Sequence, residues 1–167
     1  MTGDKIKNRN IAGFTLLELL VGITIFTLTI ATAIGLFVTV IESQRKSVAI
    51  QNVQENGRFL MWYASKEIRM STINNSEDGE TNALELTHPD HGNVSYSFTD
   101  TGEFLRGGEK LSSDEVYVTG KFLIDGKTSG DNEQPRVTVV IKVQTISTKK
   151  EEKAEINLQT TFSQWQF

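Results

Sequence analysis

Glu18 is the only charged residue in an apolar run from Phe14 to Ile41. An ionised carboxylate surrounded by hydrocarbon is costly unless it is protonated or meets a cationic partner. Two interpretations are open. Glu18 could pair with a positive group, or it could reach water at the edge of a membrane, as charged side chains near the ends of apolar helices do.

A second group of reactive side chains lies in the tetrad His88-Pro89-Asp90-His91, which places two imidazoles and a carboxylate close together. The spacing is not the helical i, i+4 pattern of common zinc motifs, and no second cluster of ligands accompanies it. We interpret the tetrad as a polar turn between strands. An anchored hydrolase that uses His88, His91 and nearby acids is the enzymatic alternative.

Other signatures of catalysis or cofactor binding are absent from the sequence. It contains no cysteine, no Gly-x-Ser-x-Gly nucleophile motif and no glycine-rich phosphate loop. Two acid-rich loops, 76–80 and 125–133, lack the order of alternating acids, central Gly and distal Glu that an EF-hand needs, and we interpret them as solvated turns. We therefore predict no catalytic residue, no metal site and no cofactor.

The composition limits the function further. The 167 residues carry 17 Lys+Arg against 21 Asp+Glu, which gives a net charge of −4 and a pI near 5.3. A nucleic-acid-binding surface needs clustered cations, so we predict no nucleic-acid contact. The length fits one domain of ordinary size, or a small domain with an appendage.

The apolar run from Phe14 to Ile41 predicts a single membrane-spanning helix. At about 1.5 Å per residue it exceeds the roughly 30 Å hydrocarbon core of a bilayer, and its apolar side chains outweigh the cost of Glu18. The leader before it carries Lys5, Lys7 and Arg9, so the positive-inside rule keeps the N-terminus in the cytoplasm. No small-residue cleavage site follows the run, so we expect the anchor to be retained.

The helix is predicted to continue over residues 42–74, because this segment has no Pro and shows helical spacing. Its predicted core-facing stripe consists of Val53, Leu60, Ala64 and Ile68. Ala49 and Gly57 extend this stripe with small residues, against which another element could pack closely. The aromatic pair Trp62 and Tyr63, together with Phe59 and Met61, is interpreted as a seam between helix and sheet rather than as a shelf for a ligand.

The remainder of the chain changes to the two-residue period of β-strands. Alternating apolar residues predict five or six strands over 83–167, including two long ones at Arg136–Ser147 and Glu155–Trp165. The segment Val116–Ile124 is a further strand, and Gly120 is a candidate break within it. Short connections imply antiparallel pairing, with one face covered by the helix. The predicted fold class is therefore α+β.

The junction between the leader and the apolar run carries the most specific motif. After a short basic leader it reads Gly13-Phe14-Thr15-Leu16-Leu17-Glu18. This motif closely resembles the class III signal of type IV pilins and type II secretion pseudopilins. In that family a membrane prepilin peptidase cuts after the Gly on the cytoplasmic side, and the new N-terminal residue, usually Phe, is N-methylated.

The resemblance implies cleavage between Gly13 and Phe14, N-methylation of Phe14, and a mature chain that keeps the anchor. It also implies that Glu18 guides assembly by meeting the amino group of Phe14 on a neighbouring subunit. Gly13 suits a peptidase cleft because it has no side chain. The implied partners are a prepilin peptidase/methyltransferase, other pilins or pseudopilins in a hetero-oligomeric filament, and an inner-membrane assembly platform.

The predicted organisation is a leader at 1–13, a transmembrane or filament-core helix at 14–41, and a pilin-like globular domain at 42–167, with helix over 42–74 and sheet over 83–167. The late strands resemble those of J-type minor pseudopilins and minor pilins. We predict a non-enzymatic subunit of a type IV pilus, competence pilus or type II secretion pseudopilus. Before assembly it would lie in the cytoplasmic (inner) membrane, with its C-terminal domain periplasmic or otherwise extracytoplasmic. The alternative is a membrane-anchored extracytoplasmic binding module that is not built into a filament.

Overall fold

The computed structural model describes residues 13–75, 77–126 and 134–164. One long helix, α1 (Leu16–Met70), opens the described chain. By its internal contacts the chain divides after Ile41 into two compact units, so that the helix contributes to both. Of the predicted leader at 1–13, only Gly13 lies within the described residues.

The first unit exposes its apolar side chains. Every side chain from Gly13 to Val40 is exposed, and α1 contains an 18-residue window of mean hydropathy 2.2 with none of it buried. By length and composition this helix could cross a membrane, and within the described residues it is the one helix that could. A helix that is apolar all round and unburied in its own chain is suited to lipid or to other helices.

Threonine hydroxyls in this part of α1 are satisfied inside the helix. Thr24, Thr29 and Thr39 donate to the carbonyl oxygens of the residues four positions earlier, at 2.7, 2.8 and 3.1 Å. Thr27 and Thr32 make the same contact. Because no water reaches the hydrocarbon core of a bilayer, these internal bonds lower the cost of placing hydroxyl groups there.

Antiparallel strands in two sheets make up the rest of the second unit. The first sheet has the order β1-β3-β4-β5-β6 and consists of β1 (Thr72–Ile73), β3 (Ala83–His88), β4 (Gly92–Phe98), β5 (Phe104–Arg106) and β6 (Glu109–Lys110). The second sheet has the order β2-β7-β8-β9 and consists of β2 (Gly79–Thr81), β7 (Val116–Asp125), β8 (Arg136–Thr145) and β9 (Glu155–Ser163). A short 3₁₀ helix, Lys150–Glu152, joins β8 to β9. The predicted α+β class and antiparallel pairing are confirmed.

In the second unit α1 buries one face. The buried residues are Ala49, Val53, Gly57, Leu60, Met61, Ala64, Glu67 and Ile68. This confirms the predicted stripe, whose four apolar members are at most 1% exposed. Together with inward side chains of both sheets they form a single hydrophobic core.

The helix ends at Met70 rather than near Asn74, where the sequence pattern placed its end. Thr72 and Ile73 form β1 instead and pair with Thr87 and Leu86 of β3. Both residues are β-branched, a type that favours extended backbone. The strand pairing also buries Ile73 completely in the core.

The expected break at Gly120 was wrong, since β7 runs unbroken through this residue and pairs it with Ile141. A Cβ atom at Gly120 would lie 2.3 Å from the carbonyl oxygen of Val140 and 2.7 Å from Cζ of Phe98. The Phe98 ring, from the first sheet, lies 5.0 Å from that of Phe122 in the second. The glycine therefore lets a ring from one sheet pack closely on the other.

Candidate functional site

Thr15 caps the N-terminus of α1. Its carbonyl oxygen accepts a hydrogen bond from the Leu19 N–H at 3.2 Å, and its hydroxyl oxygen accepts one from the Glu18 N–H, also at 3.2 Å. Thr-x-x-Glu is the pattern of a capping box, and an acidic residue in the first turn interacts favourably with the helix dipole. This cap was not predicted, although the spacing of Thr15 and Glu18 in the sequence indicates it.

The predicted cleavage position lies just before this cap. Gly13 and Phe14 belong to neither helix nor strand. The Phe14 side chain is 79% exposed, and apart from its chain neighbours Gly13 has no described atom within 4 Å of where a Cβ would be. The Gly13–Phe14 peptide bond is thus outside the helical hydrogen-bond ladder and is not covered by the described residues, which is the condition a peptidase needs.

Glu18 is exposed at the start of the apolar helix. Within the described part of the chain it has no ion-pair partner. Until the chain is cut, the backbone nitrogen of Phe14 is part of the peptide bond to Gly13 and carries no positive charge. Residues 13–75, 77–126 and 134–164 therefore offer no cationic partner for the charge of Glu18.

His88 is the last residue of β3 and is buried, and Pro89, Asp90 and His91 form the turn to β4, so the predicted polar turn is confirmed for three residues of the tetrad and not for His88. The His88 and His91 rings stack with their centroids 4.6 Å apart, and the Asp90 N–H donates to Nδ1 of His88 at 3.1 Å. Across the described residues, no group of three or more His, Cys, Asp or Glu side chains is placed to hold a metal ion.

The acid-rich loops are described only in part, since residues 76 and 127–133 lie outside the described residues. Two of their acids form surface ion pairs. Glu80 lies 2.6 Å from Nζ of Lys121, and Asp125 lies 2.5 Å from Nη2 of Arg136. These acids therefore meet protein cations in this structure, in keeping with solvated turns.

A buried charge cluster in the second unit was not predicted. Glu67 of α1 is only 8% exposed, and its carboxylate accepts hydrogen bonds from Nε of Arg106 at 3.1 and 3.0 Å and from Nη2 at 2.5 Å. The Tyr96 hydroxyl donates to the same carboxylate. The spacing in the sequence could have indicated that Glu67 is buried, because Glu67 follows Leu60 by seven residues and so lies on the same face of the helix.

The contacts within the cluster keep each of its three ionisable side chains in a fixed charge state. Burial opposes ionisation of Glu67, but the hydrogen bonds from Arg106 and Tyr96 and the charge of Arg106 outweigh it, so its pKa lies below the ordinary 4.5. Burial, and then the hydrogen bond to Glu67, raises the pKa of Tyr96 far above its usual range. The hydrogen bond to Glu67 also raises the pKa of Arg106. The result is a stable carboxylate–guanidinium pair with a neutral phenol.

The predicted aromatic seam is only partly correct. Tyr63 packs against the core and lies under the guanidinium of Arg106, 5.7 Å from the ring centroid. Trp62 and Phe59, however, are 61% and 45% exposed. The helix turns these two rings outward, because the buried stripe occupies the opposite side.

Comparison with known proteins identifies the N-terminal part of the chain. The family model described as the prokaryotic N-terminal methylation motif matches residues 8–39. None of the curated proteins and none of the solved structures matches the chain. The recognised region covers the end of the leader, the Gly13–Phe14 junction, Glu18 and most of the exposed apolar helix.

The matched motif covers the same residues that form the non-helical Gly13–Phe14 junction and most of the exposed apolar helix. The motif indicates a pilin or pseudopilin that is processed by prepilin peptidase, in a family whose members are structural. The exposed apolar helix beside it supports a membrane-anchored protein. The chain therefore carries the N-terminal methylation motif, or class III signal, of the type IV pilin and pseudopilin family.

Proposed function

We propose that the chain is a minor pilin or pseudopilin, a non-enzymatic subunit that assembles with other pilins or pseudopilins into a filament. The observation that carries this proposal is the Gly13–Phe14 junction, open and non-helical, directly before an exposed apolar helix with Glu18 in its first turn. The filament would be a type IV pilus, a competence pilus or a type II secretion pseudopilus.

Processing would proceed in two steps at the same residue. Hydrolysis of the Gly13–Phe14 amide leaves a carboxylate on Gly13 and a free amine on Phe14. The amine then takes a methyl group from an activated methyl donor held by the methyltransferase, which leaves the donor demethylated and releases one amine hydrogen as a proton. Since Thr15 starts the helix by capping it, the new amine would lie immediately before the first helical turn, about one turn along the axis from Glu18.

Glu18 would direct assembly through charge pairing. Its carboxylate is exposed, with no cationic partner inside the described chain. In a bilayer or in a bundle of apolar helices, an unpaired carboxylate and an unpaired amine are each costly, so bringing Glu18 of one subunit to the Phe14 amine of another relieves both costs. Pairing of this kind would fix the axial position of each incoming helix.

The chain would first lie in the cytoplasmic (inner) membrane. The cations Lys5, Lys7 and Arg9 favour a cytoplasmic N-terminus, which sends the second unit to the periplasmic or extracytoplasmic side. An assembly platform in the same membrane would then move the subunit into the filament.

The deciding experiment is the intact mass of the protein, purified from membranes of cells with and without a prepilin peptidase. We expect a species that begins at Phe14 and is one methyl group heavier than residues 14–167, and only where the peptidase is present. An uncut chain in both strains would overturn the proposal and favour a simple membrane-anchored binding module.

Matched glycine variants sharpen this experiment. Gly13→Leu places a bulky side chain next to the scissile bond and should leave the leader attached. Gly22→Leu is the control, because Gly22 lies in the exposed part of α1 and, apart from its own stretch of helix, no described atom is within 4 Å of its Cβ position, and this variant should be cut normally. Equal cleavage of both variants would contradict cleavage after Gly13.

A further inference from the structure

A cavity of about 390 Å³ opens in the surface of the second unit, beside the Glu67–Arg106 pair. Its helix wall presents Trp62, Lys66 and Met70. His88, at the end of β3, and His91, in the turn that follows it, line it as well. The volume lies within the roughly 300–1,000 Å³ typical of sites for small ligands or side chains.

The carboxylate in this cavity is already engaged by the protein. Arg106 shares its Nε–H between both oxygens of Glu67 and donates to Oε1 from Nη2, and the Tyr96 hydroxyl donates to Oε2. Both oxygens therefore have partners, and Arg106 balances the charge of Glu67. A cationic guest would meet no unpaired negative group in the lining.

The unused polar groups are mainly donors and carry positive charge. Lys66 is exposed, and within the described residues it forms no ion pair. Nη1 of Arg106 takes no part in the bonds to Glu67. Nδ1 of His88 accepts the Asp90 N–H, so Nε2 is the ring nitrogen left to donate. With the charge of Arg106 balanced by Glu67, the ammonium of Lys66 gives the lining a net positive charge.

The other part of the lining is a flat apolar wall. Trp62 is 61% exposed and Met70 is 44% exposed. His91 stacks on His88, with ring centroids 4.6 Å apart, and is itself exposed. An indole left in water beside a cavity provides a surface on which a planar group can stack, with a gain from apolar burial.

We propose that this cavity binds a carboxylate that is carried on an aromatic group. Lys66 supplies the charge partner, and Trp62 supplies the stacking wall. Such a group can come from a free aromatic acid or from an acidic residue next to an aromatic one in a protein segment. The inference does not depend on filament assembly, since it rests only on residues of the second unit.

The test uses the full chain in a nonionic detergent with Trp165→Phe, which leaves Trp62 as the single tryptophan of the two in the sequence. Benzoate is titrated while the fluorescence of Trp62 is followed, with benzamide as the neutral probe of the same shape. We expect a saturable change with benzoate, and an affinity at least tenfold lower for benzamide. Ligand-observed NMR on the unsubstituted chain repeats the comparison without any mutation.

Two charge variants locate the site. Lys66→Gln should weaken benzoate binding about fivefold, which is the effect of losing one partly exposed ion pair. Arg58→Gln removes an exposed cation of the same helix that does not line the cavity, and it should leave the affinity unchanged. Equal loss in both variants, or no loss with Lys66→Gln, would overturn the assignment.

A second pair of probes distinguishes the two sources of the carboxylate. Acetyl-Phe-Asp-Phe-amide is compared with its Asn counterpart. Tighter binding of the Asp peptide than of benzoate assigns the cavity to a segment of another protein, whereas tighter binding of benzoate assigns it to a small acid. If neither acid gives a saturable response, or if the neutral probes bind as well as the acids, the proposal is wrong.

Discussion

Glu18 and Glu67 are two carboxylates of the same helix in very different circumstances. Glu67 is buried and takes its hydrogen bonds from Arg106 and Tyr96. Glu18 is exposed among apolar side chains, with no ionic partner in the described chain. A carboxylate that finds its partners within the chain contributes to the fold, whereas one that finds none there is available to another molecule.

Replacing Glu18 with Ala should separate processing from assembly. The Gly13–Phe14 bond is unchanged, so cleavage and methylation of Phe14 are expected to continue. Incorporation into filaments should fall at least tenfold, because breaking an ion pair in apolar surroundings costs on the order of 3 kcal/mol. The measurement is the ratio of the protein in sheared filaments to that in membranes.

Glu42→Ala provides the control for Glu18, since Glu42 is an exposed acid of the same helix just beyond the apolar run. It should assemble normally. Normal incorporation of the Glu18 variant would remove the assembly role of this residue and leave the interpretation of a carboxylate at the membrane edge.

The buried pair predicts a specific dependence of stability on pH. The pKa of Glu67 is lower in the folded chain than its ordinary 4.5, so the unfolded chain binds the proton more readily. The stabilisation is therefore complete above about pH 4.5 and is lost as the pH falls through the folded pKa. Glu67→Gln should cost about 2 kcal/mol of unfolding free energy at pH 7, and less at pH 3.

Urea unfolding, followed by circular dichroism at both pH values, measures this difference. Glu55→Gln is the control, because Glu55 is exposed on the same helix and should change stability by less than about 0.5 kcal/mol. A cost for Glu67→Gln that is the same at pH 7 and pH 3 would mean that the charge of Glu67 does not stabilise the fold.

At the scale of elements, Gly57 sets how closely α1 approaches the second sheet. A Cβ atom at this position would lie 2.8 Å from Cδ1 of Leu158 and 3.6 Å from Cγ2 of Val143. The cost of a glycine inside a helix, about 1 kcal/mol relative to Ala, is offset by this close packing. Small residues on the buried stripe thus determine the distance between helix and sheet.

Gly57→Val should destabilise the second unit by roughly 1–3 kcal/mol, because the added methyl groups overpack the contact with Leu158. Gln54→Val introduces the same side chain at an exposed position of the same helix and should cost less than about 0.5 kcal/mol. Thermal unfolding of both variants provides the comparison. Adding Leu158→Ala to Gly57→Val should recover part of the loss, and a purely additive double variant would argue against this contact.

The elements differ in how far they could be predicted. The stripe of α1 and the strands β7, β8 and β9 are long enough to show their period, and they were found. The strands β1, β2 and β6 have two or three residues each, too few for any alternation to show. They exist because longer strands offer them an edge with which to pair.

At the scale of the whole molecule, the two units have different surfaces. The first exposes large apolar side chains along α1 and buries none within the described residues. The second has its own core, in which residues of α1 meet strands of both sheets. One unit therefore suits lipid or neighbouring helices, and the other suits water.

A truncated chain tests this division. Residues 42–167 should be soluble and folded without detergent, because the buried stripe of α1 and the sheets it covers are all retained. Residues 14–167 should remain soluble only with detergent. Size-exclusion chromatography and circular dichroism of both chains make the comparison, and a 42–167 fragment that aggregates or lacks β-structure would show that its core needs the first unit.

The signal motif, the membrane anchor and the types of the long elements could be predicted from residues that lie close together in the sequence. Gly13, Phe14 and Glu18 lie within six consecutive residues, and the apolar stripe repeats at helical spacing. Each of these features acts over one or two turns of chain, so residue type and spacing are sufficient to identify it.

Tertiary structure alone decided the Glu67 cluster and the cavity beside it. Tyr96 and Arg106 lie 29 and 39 residues from Glu67 along the chain, and His88 and His91 reach the same place from the end of β3 and the turn that follows it. No local period links these positions. They meet because β3, β4 and β5 pair in one register and the buried face of α1 packs beside them, and this packing is set by the core as a whole.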